Sequence, residues 1–328
     1  MKQSLKYIPL ILGVSFLLAC NENSLDVDVS DIEADVRICQ FEKSLFQLDT
    51  NSWGSEFSEL ITEFPPFFEE TNNPEIWKLR LQDQDLVKLY TQVGLNDSLF
   101  LLGLSGIEDG LKHYSYYFPD QEIGTIYTYV SGLDLDYPII FADTMLFVAA
   151  DLYLGKGHEA YESVPEYIQE GYQPKYVLKD VFREISRFHI PNNPTDKTFL
   201  NRMIYEGKRM YFLDAMMPNH ADNLKIGFST EHINWAIENE AYIWSYMINN
   251  KLLFSQDQSV VARFVEPAPF TKFYADVDPL TPGRLGIWLG WQIVRAYMKK
   301  HSEMSLIELI NTVNSQEILN QSNYKPKK

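Results

Sequence analysis

The chain has 328 residues, of which 45% are hydrophobic and 14% aromatic, and its formal net charge is −17. That is enough apolar material for a sizeable core in one large domain or two small ones. The acidity argues against nucleic acid as a partner and against direct adhesion to anionic lipid surfaces.

The first residues carry an export signal. Lys2 and Lys6 form a short positive region, and residues 7–18 are apolar apart from Ser15, with Pro9 and Gly13 as interruptions. This run is too short for a spanning helix, which takes ~20 apolar residues. It ends in Leu17-Leu18-Ala19-Cys20, which resembles the bacterial lipobox. Residues 1–19 therefore read as a signal peptide, and Cys20 as the residue that is acylated and becomes the new N-terminus. The implied partner is membrane lipid. Because one acyl chain anchors only marginally, two or three chains are expected. Residues 20–34 are acidic and free of aromatics, as suits a tether. The domain is expected outside the cytoplasm, held to the inner or outer membrane. With Cys20 committed to lipid, Cys39 has no partner for an internal disulfide and reads as a small buried hydrophobe.

Past the tether, Val36, Ile38 and Phe41 alternate, which predicts a short strand entering a helix near Glu42. Residues 55–70 are amphipathic, with Phe57, Leu60, Ile61 and Phe64 at helical spacing, and stop at Pro65-Pro66. A second helical period from Asn73-Pro74 through Val93 is expected to end at Gly94. A further helix over residues 99–117 ends before Pro119. Residues 125–131 read as a strand, with residues 138–142 as its partner. Then come Asp143-Thr144 and an apolar run to Leu154. From Pro174 onward, helices are predicted over residues 176–188, 198–214, 229–249, 283–300 and 305–313, and the polar residues 321–328 as a frayed tail. With no repeat and no internal linker, residues 35–320 form one α+β domain, predominantly helical, with a small sheet in the N-terminal half.

No histidine pair stands three or four apart, and HExxH, CxxC, GxSxG and a phosphate loop are all absent from the sequence. No metal, cofactor or catalytic set is therefore expected. The candidate cleft rests on charge and aromatic placement. Glu206 and Asp214 are eight residues apart and can share one helix face. Glu240 lies between Trp235 and Trp244 and needs a cation such as Arg284 or Arg295. These carboxylates are either internal ion pairs that lock helices or parts of a cleft. Trp288 and Trp291 line one side of a helix that also carries Gly286 and Gly290. Each helical glycine costs ~1 kcal/mol, which suggests close approach of another backbone, with a ligand groove as the other reading.

Several phrases together carry a resemblance: Ala142-Asp143-Thr144 with Asp151-Leu-Tyr-Leu-Gly155, Met203-Ile-Tyr-Glu-Gly-Lys208, Asn239-Glu-Ala-Tyr-Ile-Trp244, Ala268-Pro-Phe-Thr-Lys-Phe273 and Pro282-Gly-Arg-Leu-Gly-Ile-Trp-Leu-Gly-Trp-Gln-Ile-Val294. They resemble the gliding-motility lipoprotein GldB family of Bacteroidota over nearly the whole chain. The resemblance implies a cell-envelope lipoprotein of the gliding and type IX secretion machinery, acting by protein–protein contact rather than as an enzyme. More weakly, the order of elements is similar to zincin-like metallopeptidases. In that likeness residues 179–188 occupy the place of the metal-binding helix without its histidines, and Glu206 stands where a third ligand could be. It implies a degenerate peptidase scaffold reused for binding. The alternatives are a hydrolase using Glu206 and Asp143, with or without a metal, and a lipoprotein that captures carbohydrate or peptide on Trp288 and Trp291.

Overall fold

Strand β1 (Arg37–Gln40) pairs in parallel with β2 (Thr125–Tyr129), and β2 in parallel with β4 (Met145–Ala149). Strand β3 (Ile139–Ala142) runs antiparallel to β4, giving the order β1-β2-β4-β3. This computed structural model describes residues 25, 27–49 and 52–326. Cys20 and the export signal lie outside the described residues.

Side chains alternate across a strand, so the sheet has two faces with different jobs. Ile126, Leu146 and Val148 are fully buried in the main helical core. Tyr127 and Phe147 belong to the opposite side, an aromatic cluster with Phe41, Trp53, Phe57, Phe64, Phe68 and Trp77. Phe67 stacks on Phe41 there, ring centroids 3.8 Å apart. The expected pairing of residues 138–142 with β2 is corrected: β3 turns back at Asp143-Thr144 and pairs with β4, which lies between it and β2. Both faces of β4 are covered, which explains why its sequence reads as one apolar run rather than an alternation.

Five helices cross from β1 to β2: α1 (Phe41–Phe46), α2 (Trp53–Glu63), α3 (Pro74–Gln82), α4 (Gln84–Gly103) and α5 (Ile107–Tyr117). The break expected at Gly94 falls instead at Asp83, whose side chain caps α4 by accepting from Asp85 N at 2.9 Å and Leu86 N at 3.2 Å. Gly94 sits inside α4, where a glycine costs only ~1 kcal/mol against alanine and does not stop a helix. The helix expected from residue 99 is divided by Gly106, held at φ 91. That left-handed conformation favours glycine.

The second half is helical throughout: α6 (Glu166–Gln169), α7 (Val177–His189), α8 (Phe199–Met216), α9 (Asp222–Ile226), α10 (Thr230–Glu238), α11 (Glu240–Asn249), α12 (Gln258–Phe264), α13 (Leu285–Lys300), α14 (Leu306–Asn311) and α15 (Ser315–Ser322). The chain end is not frayed through Tyr324: its ring meets Trp244 edge to face at 5.2 Å, and its hydroxyl donates to Glu240. At the other end Val29 is buried, and Leu25 and Ala34 pack against the main core.

Helix α8 is buried on nearly every side, and α13 lies against it. The contact is made by backbone. A Cβ added to Gly290 would stand 2.0 Å from Met203 O, and one added to Gly207 would stand 2.4 Å from Gly290 O. The glycines of the Gly-Trp helix thus allow the crossing. Gly290→Ala gains up to ~1 kcal/mol of helix propensity. It must nevertheless part the two helices, so the expected result is a net loss of about 1–3 kcal/mol, read from the urea unfolding midpoint. An unchanged midpoint would contradict the close crossing.

Candidate functional site

The buried polar side chains Glu206, Lys208 and Asp214 of α8 reach different neighbouring elements. Glu206 is 2% exposed and meets three guanidinium groups. Arg183 of α7 donates to it at 3.0 Å, Arg209 at 3.3 Å, and Arg202 Nη2 lies 3.3 Å away. Burial alone would push the Glu206 carboxyl up, but Arg183, Arg209 and Arg202 bring it below the usual range. It is held ionised, as a counter-ion. Lys208 donates to the carbonyls of Ile310 and Thr312 and so secures the end of α14.

Two turns beyond Glu206, Asp214 is enclosed by α9 and α13. Arg295 grips both its oxygens, Nε and Nη2 each at 2.7 Å. Lys225 donates at 2.9 Å and Trp291 Nε1 at 2.8 Å. Arg295 also pairs with Asp222 at 2.6 Å and lies over the Trp291 ring, 3.8 Å from its centroid. The guanidinium loses hydration on burial, but its bonds to Asp222 and Asp214 outweigh that and raise its pKa.

The seven candidate residues therefore divide. Glu206 and Asp214 share α8, and Trp291 joins Asp214 directly. Trp288 and Trp291 are 2% and 0% exposed. Of the two readings of their helix, close approach and a ligand groove, the first is what Gly290 and Gly207 allow, since α8 and α13 meet at backbone contact. Glu240 takes the Tyr324 hydroxyl as partner, not Arg284 or Arg295. Asp143 stands on the exposed turn between β3 and β4 at φ 54 and takes no part in the α8 network. Arg284 donates to Ile226 O at 3.0 Å and Gly227 O at 3.4 Å. Its backbone is left-handed at φ 63, which costs a non-glycine residue roughly 1–2 kcal/mol. Burial, with Arg183 adding, lowers its pKa to about 10.

Among the buried polar groups that escaped sequence reading are Lys179 and Glu42. Lys179 and Asp180 pair on α7, and Tyr153 donates to Asp180 at 3.2 Å. The signal was available: Lys179 falls within a run of apolar α7 residues that all face the core. Glu42 accepts from Thr128 Oγ1 at 2.9 and 2.8 Å, and burial pushes its carboxyl up to about 7. A glutamate beside a phenylalanine at a helix start gives no hint of that, because Thr128 is 86 residues away. Among the described residues, no three His, Cys, Asp or Glu side chains converge as a metal site.

A family profile described as "Gliding motility protein GldB" matches residues 22–326. No curated protein and no solved structure matches the chain. The weaker likeness to zincin-like metallopeptidases, drawn from the order of elements, therefore gains no support, and the Glu206 carboxylate that it placed as a third ligand is occupied by three arginines.

Glu206→Gln would leave those arginines in a buried site without their counter-charge. The expected loss at neutral pH is about 3–5 kcal/mol, measured by denaturant unfolding. The sign with pH follows from the lowered pKa. The contribution is complete above the ordinary glutamate value near 4.5 and is lost as pH falls through the lower folded-state value. Wild type and variant should therefore converge in acid. A constant difference down to about pH 2 would show that Glu206 does not act through its charge.

Proposed function

The chain belongs to the GldB gliding-motility family, and from that premise we propose that it is an envelope lipoprotein anchored through acylated Cys20, working by contact with proteins of the gliding and secretion machinery. Among the described residues no helix is long and apolar enough to cross a membrane. A lipid on Cys20 supplies the attachment instead.

The observation that carries the contact reading is one face of α4. Leu95, Leu99 and Leu102 are 76%, 56% and 66% exposed, and they recur at helical spacing on one side. Gly94 and Ser98 lie beside them, four residues apart, and a Cβ at Gly94 would meet nothing within 4 Å. Leucines flanking a strip of small residues suit an apolar helix of a partner protein, which can approach closely over the glycine. Three exposed leucines on one helix also stand out in a chain whose core aromatics are so thoroughly buried. Enzymatic chemistry is not part of this reading. The α8 carboxylates serve as counter-ions, which favours a scaffold over a cleft.

The test is complementation of a deletion strain. Leu95→Glu with Leu99→Glu should leave unfolding within about 0.5 kcal/mol of wild type, since both positions face solvent. Colony spreading should be lost. Cys20→Ala should fold normally but leave the membrane fraction. Full spreading by the double variant would remove the α4 face from the account, and a Cys20→Ala protein that still sediments with membranes would remove the anchor.

A further inference from the structure

Arg284 differs from the other arginines around α8. Arg183, Arg209 and Arg295 are met by carboxylates, but Arg284 makes no ion pair and donates only through Nη2 to two backbone carbonyls. Its Nε and Nη1 donate to nothing in the chain among the described residues, and neither is sealed from solvent. The side chain lines a cavity of about 290 Å³.

Charge on the cavity wall is predominantly positive. Lys175, Lys179 and Arg284 line it, and Glu170 is the only acid among the lining residues. Glu170 is already engaged by Lys156 and by Gln173 at 3.1 Å. Tyr176 and Phe228 supply apolar surface beside the cations: Lys179 lies 5.1 Å from the Tyr176 ring centroid, and Arg284 lies 5.7 Å from that of Phe228. Gly227, at φ 72, keeps the floor clear. A Cβ there would stand 3.1 Å from Lys179 Cε and 3.6 Å from Arg284 Nη2. A positive cavity in a chain of net charge −17 is a local departure that solubility does not account for.

We propose that this cavity binds an organic oxyanion, a carboxylate or phosphate carried on a small flat apolar body. The free side of the Arg284 fork would take the oxygens in paired hydrogen bonds, with Lys175 adding charge, since Lys179 is already paired with Asp180. Tyr176 and Phe228 would hold the body. The volume is at the low end for ligand sites, which limits the body to about one ring. The left-handed backbone at Arg284 fits such a role, because strained conformations concentrate where a side chain must be aimed.

Isothermal titration of the full chain in detergent micelles with benzoate and with phenyl phosphate tests this. At least one should bind saturably, and Arg284→Gln should weaken it by at least about tenfold. Tighter benzoate binding identifies a carboxylate ligand, and tighter phenyl phosphate binding a phosphate. No saturable binding of either, or equal binding by Arg284→Gln, overturns the proposal. If that variant does not fold, Tyr167→Glu at the exposed rim serves, with an expected weakening of about threefold from the added negative charge. Wild-type affinity in Tyr167→Glu would then overturn it.

Discussion

Backbone contact between α8 and α13 is the constraint on which the second half of the molecule depends. Two glycines, Gly207 and Gly290, leave room for neither helix to carry a side chain at the crossing. Once the helices touch, Glu206, Lys208 and Asp214 on α8 are cut off from water and must find partners in the protein. Glu206 finds the arginine of α7, Lys208 the carbonyls ending α14, and Asp214 the lysine of α9 and the arginine of α13. The central helix is thereby tied to the elements around it by charged bonds that would be costly to break singly.

That arrangement decides how the carboxylates should be read. A buried acid with three guanidinium neighbours stays ionised and does not exchange protons near neutrality. Glu206 and Asp214 each tie α8 to a neighbouring helix through arginine. The surfaces proposed for recognition lie elsewhere: the leucine face of α4, and the cationic cavity beside Arg284. The sheet divides the two cores, with aromatic rings of α1 to α3 on one side and the helices from α7 onward on the other.

Much of this architecture was legible in the residues. The spans of α7, α8, α13 and α14 follow from apolar periodicity, whereas α9, α12 and α15 were missed and the helix expected over residues 229–249 is broken at Asn239. The glycines beside Trp288 and Trp291 signalled a close crossing. The family resemblance, confirmed over residues 22–326, came from dispersed phrases rather than a single motif. Strand pairing was not legible, because β3 and β4 are joined by a two-residue turn that the apolar run of residues 145–154 conceals. Helix breaks were misjudged at Gly94, where an exposed glycine is tolerated, and missed at Asp83, where a capping aspartate acts. Partner choice failed for Glu240. Sequence shows that a half-buried carboxylate needs a donor, but not that Tyr324, 84 residues away, supplies it. The tryptophans looked like a ligand surface because spacing shows which residues share a face, not what covers it.

At the crossing that the glycines permit, the bond between Asp214 and Arg295 locks α8 to α13. A double-mutant cycle with Asp214→Asn and Arg295→Gln measures that bond most directly, since in the single variants Asp214 keeps Lys225 and Arg295 keeps Asp222, so that only their mutual bond is left in the coupling. The account predicts a coupling energy of about 2 kcal/mol or more in the unfolding free energy. Effects that add to within about 0.5 kcal/mol would contradict it.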